Sequence, residues 1–517
     1  MSNLSRSTRT RKPACRSAGG IVAAQSRRAA EIGAQILAEG GDAVDAATAV
    51  SFALGVVEPW MSGPAGGGAM MVFRADEGRA YAVDYGMRSP AGLDPRDFPL
   101  SGEGVASDLF AWKRVADDRN LEGASAVAVP GTVDGIGLAH GRWGRMSWAD
   151  LVRPAASLAR EGLSVDWYAA LIIASSARAL SRDADAAALF LEDGVFPPIG
   201  SWTALSDIRL PFHRMADTLE AIAAGGPREF HEGDVGRELA RDVEAKGGSL
   251  RFEDLATYRA ALQTPLSFAA LGGRLHATPE LTAGPTLRDT FAGFSAEAGG
   301  LAGLADALSA AYETRLSTMG DHESPKAPGS TSHFSVVDKH GNMVAMTQTL
   351  LSVFGSKIVS PSTGLLLNNG IMWFDPEQGR PNSLAGGKRC LMNVCPVLGE
   401  RSDGARFALG ASGGRKILPA VAQLSRMLLG GADLDTAFHA PRIDVSGGGT
   451  IIADEMLAEG DLAALRKRHE VRTAPRTVFP YAFACPSAVM REGSENSGAT
   501  EIAAPWADAV AEAAGSA

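Results

Sequence analysis

The sequence predicts a layered α/β fold. Apolar residues make up 45% of the 517 residues and charged residues 21%, which is the balance of a globular protein that buries a large core. Helix-like and strand-like segments alternate along the chain, without a Rossmann or P-loop glycine signature. A chain of this length forms either two or three small domains or one large interwoven core, and length alone does not decide between them.

The first half of the chain is predicted to be mostly helical. Ser26 is an N-cap candidate for a helix that stops at Gly40 and Gly41, and Asp42 caps a second, apolar helix that ends before Pro59. A run of small residues then leads into a strand. The predicted strand is 69–73, and further helices are predicted at Trp148–Arg160 and Met215–Ala223.

The second half begins with a predicted exposed loop at Pro325–Gly329, a segment rich in Pro, Gly and Ser. Two strand-like runs follow, joined by the hairpin turn Asp338–Asn342. A further strand at 406–412 leads into a helix over Lys416–Leu429. Alternation of this kind supports the layered α/β prediction.

Charge and cysteine content exclude several classes of protein. The net charge of -10 is spread along the chain, so neither nucleic acid nor an anionic membrane is an expected partner. The apolar run 43–57 is too short to span a bilayer. Four scattered cysteines favour a reducing, cytoplasmic location, and neither zinc-ligand spacing nor an HExxH motif occurs, so we expect no metal and no cofactor.

Residues 1–18 are predicted to be a disordered basic tail. Five basic residues fall within eleven positions, and no apolar stretch of the kind found in an export signal follows them. They are Arg6, Arg9, Arg11, Lys12 and Arg16.

Two hydroxyl side chains are candidate nucleophiles. Thr331 lies between the predicted loop and a strand, where a threonine is usually only a strand-start or capping residue. Ser412 lies in Gly-Ala-Ser-Gly-Gly, which matches the G-x-S-x-G nucleophile elbow after a strand and before a helix. Possible triad partners follow it at Asp433, Asp435, His439 and His469. From the residues alone, a serine hydrolase is a reasonable hypothesis.

Three long segments carry a resemblance to a known family. They are GGDAVDAATAVSFALGVVEPWMSGPAGGGAMMVF, VPGTVDGIGLAHGRWGRMSWADLVRPAASLAREG and STSHFSVVDKHGNMVAMTQTLLSVFGSKIVSPSTGLLLNN. Together they resemble the gamma-glutamyltransferase (glutathione hydrolase) family, from about Gly20 to beyond Arg442. The resemblance implies an αββα sandwich of the N-terminal-nucleophile hydrolase type. It also implies self-cleavage of the Ser330–Thr331 bond, which would give a large subunit, 19–330, and a small subunit, 331–517, sharing one interwoven core.

The same resemblance assigns the chemistry. Thr331 would be the nucleophile, and its new α-amino group, with an ordinary pKa of about 7.7 to 8.0, would serve as the base. Thr349 would hold that amino group, and the N–H groups of Gly413 and Gly414 would form the oxyanion hole. On this interpretation Ser412 has no catalytic role. The glycines 66–68 would allow close packing near the site and would not bind phosphate.

The expected substrate-binding positions depart from the family pattern. Gly86 stands where the family has an arginine that clamps the substrate carboxylate. Leu351 replaces an asparagine, Ser362 an acidic residue, Met372 or Trp373 an aspartate, and Met392 and Asn393 a pair of serines. Arg88, Lys357 or Arg415 is available if the substrate carries a lone carboxylate. The segment 311–329 is also shorter than in typical relatives.

These departures predict an amidohydrolase that forms an acyl-Thr331 ester and acts on a small or apolar acyl amide, because a zwitterionic glutamyl head would lack partners. One alternative is a genuine gamma-glutamyl hydrolase or transpeptidase. Another is an unprocessed, non-catalytic binding protein, and the serine hydrolase built on Ser412 comes last. The expected partners are a small-molecule amide and the two subunits of one precursor.

Overall fold

The computed structural model describes residues 10–105, 112–200, 207–294, 296–319, 329–446, 449–479 and 481–513. The strands are β1 (Cys15–Ser17), β2 (Ile21–Ala24), β3 (Gly67–Arg74), β4 (Arg79–Tyr85), β5 (Leu100–Val105), β6 (Lys113–Val115), β7 (Leu163–Ser164), β8 (Arg209–Leu210), β9 (Ala261–Gln263), β10 (Leu266–Ala270), β11 (Gly273–Ala277), β12 (Gly329–Val337), β13 (Met343–Ser352), β14 (Val397–Glu400), β15 (Arg406–Ser412), β16 (Ile443–Asp444), β17 (Thr450–Asp454), β18 (Glu470–Ala474), β19 (Cys485–Glu492), β20 (Glu495–Thr500) and β21 (Asp508–Ala511).

The helices in the same residues are α1 (Arg27–Ala38), α2 (Ala43–Val57), α3 (Thr132–Trp143), α4 (Trp148–Glu161), α5 (Trp167–Leu180), α6 (Ala184–Phe190), α7 (His213–Gly225), α8 (Glu229–Glu232), α9 (Asp234–Ala245), α10 (Phe252–Thr257), α11 (Gly284–Gly293), α12 (Ala296–Met319), α13 (Ile417–Leu429), α14 (Leu434–His439) and α15 (Glu459–Arg466).

Two seven-stranded antiparallel sheets form the centre of the described structure. Sheet I has the order β21-β2-β12-β13-β3-β4-β9, and sheet II has the order β1-β20-β19-β15-β14-β11-β10. Both sheets contain strands from before and after residue 331. A cut at that position would therefore leave two chains that share both sheets of the core.

Successive residues of a strand are buried on opposite faces of its sheet, and the clusters that they join define the layers. Val22 and Val72 of sheet I pack in one cluster with the helices α1 to α7, whereas Ile21 and Met71 pack in another cluster with Ala408 of sheet II. Sheet II in turn buries its outer face against α11, α12 and α13. The order is helices, sheet I, sheet II, helices, which confirms the predicted αββα sandwich. Because both faces of each sheet are covered, the central strands are buried on both sides; β3 is almost wholly apolar, whereas β12 and β13 also bury polar residues such as His333 and Gln348.

The two predicted N-terminal helices are confirmed, and they are capped differently. The Asp42 side chain accepts hydrogen bonds from Val44 N and Asp45 N in a reciprocal capping box, as its position before an apolar run predicts. Ser26 precedes α1 as expected, but its side chain makes no capping hydrogen bond. Asp42 also pairs with Arg74 of β3 at 2.7 Å, which ties the start of α2 to sheet I.

The predicted hairpin is confirmed as β12 and β13. Val337 lies opposite Met343 at the turn, and Gly329 lies opposite Ser352 at the open end. The predicted strand at 69–73 is β3 and extends one to two residues further at each end, and the predicted helix 416–429 begins one residue later as α13. The predicted loop 325–329 lies outside the described residues except for Gly329, which belongs to β12.

The prediction of a disordered tail over 1–18 is wrong for the part that the structure describes. Cys15 of β1 pairs with Gly498 at the edge of sheet II, and Lys12 Nζ donates to the carbonyl of Ala504 at 2.9 Å. Arg16 lies 3.0 Å from the carboxylate of Glu495. The basic residues therefore bind acidic and carbonyl groups of the C-terminal strands, and residues 1–9 lie outside the described chain.

Within the described ranges, no helix is both long enough and apolar enough to cross a bilayer. The four cysteines carry free thiols.

Candidate active site

Thr331 lies in β12 at an irregularity of the sheet. Ser330 pairs with Leu351 and Ser332 pairs with Gln348, so one residue of β12 faces two residues of β13. Thr331 is 5% exposed, and its Oγ1 donates to Thr349 Oγ1 at 3.3 Å. Thr349 Oγ1 accepts in turn from the backbone N–H of Leu351 at 2.8 Å. The two threonines that the sequence predicted for catalysis are therefore neighbours, and the bulge breaks the regular ladder beside them.

Leu351 closes the bulge with an unusual backbone conformation. Its φ of 86° lies in the left-handed region, which costs a non-glycine residue about 1 to 2 kcal/mol. An asparagine, expected here from the family pattern, adopts that region more easily because its short polar side chain bonds locally. The leucine side chain is buried in an apolar cluster with Met372 and Met392, and this burial offsets the strain.

Gly413 and Gly414 form the turn between β15 and α13. Their φ values are 128° and 59°, and a Cβ on Gly413 would lie 3.1 Å from the Cα of Ala484. In the described part of the chain, neither amide donates to a turn, loop or capping carbonyl. Strand β12 contacts the turn that begins at Gly414. The structure therefore places the glycine pair beside the strand that carries Thr331, where the resemblance expects the donors of the oxyanion hole.

Ser412, the alternative nucleophile, lacks the partners of a catalytic triad. Its hydroxyl bonds to the side-chain amide of Gln25. His439 accepts from Lys12 N at 3.1 Å, and His469 lies 2.7 Å from Asp306. Each candidate imidazole thus has partners elsewhere, and the elbow motif is a strand-to-helix turn without a base.

The glycine run before β3 permits close packing, as the resemblance implies. A Cβ on Gly66 would lie 2.4 Å from the carbonyl oxygen of Thr349, and one on Gly68 would lie 2.0 Å from that of Thr347. Any side chain there would push β13 and its catalytic threonine out of place.

Four of the predicted substrate-binding residues form one apolar cluster. They are Leu351, Met372, Trp373 and Met392, and all four are buried. The indole N–H of Trp373 has no hydrogen-bond partner in the described residues. The positions at which the family pattern has polar groups are thus apolar and packed against one another.

Gly86 and Met392 are in direct contact, although each replaces a polar residue of the family pattern. A Cβ on Gly86 would lie 2.8 Å from the terminal methyl group of Met392. The methionine therefore fills the volume that an arginine side chain at position 86 would enter. Two positions at which the family pattern expects polar side chains are therefore neighbours in this structure.

Asn393 lies beside a buried cation that the sequence analysis missed. Its Oδ1 accepts from Arg315 at 3.4 Å, and its Nδ2 has no partner in the described residues. Arg315 is 3% exposed, and it also donates to the carbonyl oxygens of Thr282 and Met392 and to the hydroxyl of Thr286. Burial lowers the pKa of Arg315 to about 10. A single arginine within a helix gives no sequence signal that it will be buried.

The remaining predicted binding residues have other contacts. Ser362 donates to Asp242 of α9 at 2.9 Å, and it is not part of the apolar cluster. Arg88 lies 5.1 Å from the centre of the Tyr258 ring, and Lys357 Nζ donates to the carbonyl oxygen of Gly355. Arg415 follows the glycine pair directly and stays near the site. Burial lowers its pKa, and its Nη2 has no partner in the described residues.

Comparison with known proteins agrees with this geometry. The family model for gamma-glutamyltranspeptidase matches residues 29–328 and 302–504. Acylase ACY 1 proenzyme of Pseudomonas sp. (strain V22) is 31% identical over 512 residues, covering 90% of this chain and 89% of the relative. Glutathione hydrolase proenzyme of Escherichia coli (strain K12) is 30% identical over 484 residues, covering 82% and 80%.

Among solved structures, cephalosporin acylase from Bacillus halodurans superimposes with a TM-score of 0.82 over 98% of each chain at 22% identity, which shows a shared fold. The curated relatives are enzymes, both acylases and glutathione hydrolases. On the family match and the two relatives, this chain belongs to the gamma-glutamyltranspeptidase family of hydrolases.

Proposed function

We propose that this chain cuts itself between Ser330 and Thr331 and then hydrolyses an acyl amide through an ester on Thr331. The observation that carries the proposal is the 3.3 Å contact between the hydroxyl groups of Thr331 and Thr349, beside the Gly413–Gly414 turn. The names of the curated relatives, which are proenzymes, support a processed product.

Self-cleavage begins when Thr331 Oγ1 attacks the carbonyl carbon of Ser330. The C–N bond breaks, the hydroxyl proton goes to the departing amine, and an ester joins Ser330 to Oγ1. Water then hydrolyses this ester, which leaves a carboxylate on Ser330 and a free amino group on Thr331. The bulge supports this step because it places the scissile peptide where the regular ladder is interrupted.

Turnover uses the group that cleavage creates. The α-amino group, with an ordinary pKa of about 8, takes the proton of its own hydroxyl, and the oxygen attacks the substrate carbonyl. The N–H groups of Gly413 and Gly414 stabilise the tetrahedral oxyanion. The protonated amine returns its proton to the leaving amine, and water repeats the sequence on the acyl ester. No cofactor takes part in these steps.

Intact mass spectrometry tests the cleavage. Wild-type protein should divide into two chains, the smaller beginning at Thr331, and the two should co-purify because both sheets mix their strands. Thr331→Ala should stay whole, Thr331→Ser should still cut, and Ser412→Ala should cut normally. A wild type that stays whole, or a block caused by Ser412→Ala, would refute the proposal.

The acyl group is proposed to be apolar near the reacting carbonyl, because Leu351, Met372, Trp373 and Met392 line one cluster. An α-amino group would have no carboxylate there, since the family's aspartate falls on Met372 or Trp373. A charge without a partner in such surroundings costs several kcal/mol. A gamma-glutamyl head is therefore a poor fit.

A carboxylate at the far end of the acyl chain is a better fit, because two buried guanidinium groups lie next to the site. Arg415 lies 5.9 Å from the ring centre of Tyr312, whose hydroxyl donates to the carbonyl oxygen of Arg415, and Arg315 is on the same helix as Tyr312. Within the described residues, no carboxylate forms an ion pair with either arginine, and the acidic group that acts on Arg415 from farther away is Asp444. A substrate carboxylate would supply the missing counter-ion.

Three p-nitroanilides separate these possibilities. The hexanoyl compound has an apolar acyl chain. The amide of a five-carbon dicarboxylic acid carries a terminal carboxylate, and the gamma-glutamyl compound differs from this dicarboxylic compound only by an α-amino group. We expect kcat/KM to be highest for the dicarboxylic compound and at least tenfold lower for the gamma-glutamyl compound. Arg415→Met should reduce turnover of the dicarboxylic compound and spare the hexanoyl one. Fastest turnover of the gamma-glutamyl compound would refute this substrate class.

A genuine gamma-glutamyl hydrolase or transpeptidase is the second candidate, favoured by the 30% identity to the glutathione hydrolase proenzyme of Escherichia coli. This function requires that residues other than those at positions 86 and 392 bind the carboxylate and amino groups of the glutamyl moiety. An unprocessed binding protein is the third, and it predicts that the purified chain stays whole.

A further inference from the structure

A cavity of about 340 Å³ lies on the helical side of sheet I. It is bounded by the start of α1, the ends of α2 and α4, and the start of α5. We call it the Glu58 cavity. None of the residues proposed for the acyl pocket lines it, so the cavity is separate from the site described above. Its volume suits a ligand of roughly the size of a phenyl group with a short side chain.

Glu58 closes the inner end of this cavity with a carboxyl group that lacks a counter-ion. Its residue is 8% exposed, and its Oε2 has no hydrogen-bond partner in the described residues. Its other polar contact is the hydroxyl of Ser332, and burial raises the pKa of Glu58 to about 7. No described lysine, arginine or histidine lies within ion-pair distance of it. A buried carboxylate with a free oxygen is an incomplete polar group.

The walls beside Glu58 are aromatic and acidic. Trp60, Tyr168 and Trp506 line the cavity, and Tyr168 stacks on Trp506 at 4.1 Å between ring centres. Asp166 also lines it, and its hydrogen bonds come from neutral donors, the indole of Trp506 and the backbone N–H of residue 169. Aromatic faces next to carboxylates attract cations.

The arginines of the cavity lie at its mouth, where carboxylates already bind them. Arg28 lies 3.6 Å from Glu161, and both side chains are about half exposed. Arg209 lies 2.8 Å from Asp207 and is 45% exposed. They do not neutralise the inner end, which keeps an acidic and aromatic character.

We propose that the Glu58 cavity binds a primary amine in its ammonium form, carried on a small aromatic body. The ammonium group pairs with the carboxyl group of Glu58, which rotates its covered Oε2 toward the cavity on binding, and the body packs against Trp60 and Tyr168. A primary ammonium fits better than a quaternary one, because Oε2 requires an N–H donor. The site goes beyond the proposed function, since it requires neither cleavage nor turnover.

Isothermal titration calorimetry on the purified protein tests this site. Phenethylammonium should bind with one site per chain, and its neutral analogue 2-phenylethanol and its anionic analogue phenylacetate should bind at least tenfold more weakly. Glu58→Gln should weaken phenethylammonium at least tenfold, whereas Glu161→Gln, at the mouth, should change it less than twofold. Equal binding of amine and alcohol, an unchanged affinity in Glu58→Gln, or no heat with the amine would overturn the proposal.

A pH series on the wild type tests the same idea without a variant. Tyr168, Tyr481 and Cys485 interact with Glu58, and burial raises the pKa of all three, so they stay neutral between pH 6 and 8. The charged groups that also line the cavity are those of Asp166, Glu161, Arg28 and Arg209. Ionisation of Glu58 should strengthen phenethylammonium binding about tenfold from pH 6 to pH 8. A flat affinity would overturn the role of Glu58. The same titration with uncut Thr331→Ala should give the same result, which separates this site from the proposed catalysis.

Discussion

The carboxyl group of Glu58 makes the stability of the fold depend on pH, and Glu58→Gln should remove that dependence. Burial raises the pKa of Glu58 from 4.5 to about 7. Below pH 4.5 the group is protonated in both the folded and the unfolded chain, so it adds no difference. Between pH 4.5 and 7 the folded chain keeps the proton and the unfolded chain releases it. Stability therefore falls as pH rises through this window.

The size of the effect follows from the two pKa values. A difference of one pKa unit corresponds to 1.36 kcal/mol, so full ionisation at pH 8 costs the folded wild type about 3 kcal/mol relative to pH 4. Glutamine keeps the shape and a donor for the inner end of the cavity, and it cannot ionise. Relative to wild type, Glu58→Gln should therefore gain about 3 kcal/mol between pH 4 and pH 8.

Urea unfolding at several pH values, followed by tryptophan fluorescence, measures this difference. All other groups titrate equally in the two proteins, so their contributions cancel. Glu161→Gln is the matched control, because its side chain is half exposed at the mouth of the same cavity. Its stability relative to wild type should not change with pH. A Glu58→Gln difference that also stays constant would show that Glu58 is not buried as an uncompensated carboxyl group.

Three further changes have defined outcomes. Gly413→Ala should lower kcat at least a hundredfold with little loss of fold, because a residue with φ of 128° cannot carry a side chain without moving an oxyanion donor; kinetics and circular dichroism check this. Asp42→Ala should destabilise the chain by about 3 kcal/mol or more in urea, since it removes a helix cap and leaves Arg74 buried without its partner. Gly86→Arg should destabilise the protein through its clash with Met392, and adding Met392→Ser should recover most of that loss in thermal unfolding.

The elements that the sequence predicted well have local signals. A few adjacent residues encode the helix cap at Asp42, and a few others encode the turn at 338–342. Both features lie where the sequence predicts them. The β1 strand at Cys15 has no such signal. Cys15 pairs with Gly498, which is almost a whole chain length away. The basic residues around Cys15 are typical of a solvated tail, because their acidic partners, such as Glu495, are equally distant in the sequence.

The two threonines and the glycine pair proposed for catalysis could be named from the sequence because the resemblance supplied them, and the structure places Thr331 next to Thr349. Their environment could not be read in the same way. The left-handed conformation of Leu351 depends on a register shift between two strands, and the burial of Arg315 depends on how α12 packs against the segment at 392. These are tertiary effects, and no pattern of adjacent residues encodes them.

The departures at the binding positions are best understood together. If Gly86 had replaced an arginine alone, the result would be a void, and a void in a packed interior costs stability in proportion to its volume. Met392, from a loop segment 306 positions later, occupies that space. The polar partner that the family would have at 392 is lost in the same substitution. Two positions that compensate in volume and both lack polar groups support the proposal of a different acyl group, because the loss of contacts alone would leave the space empty.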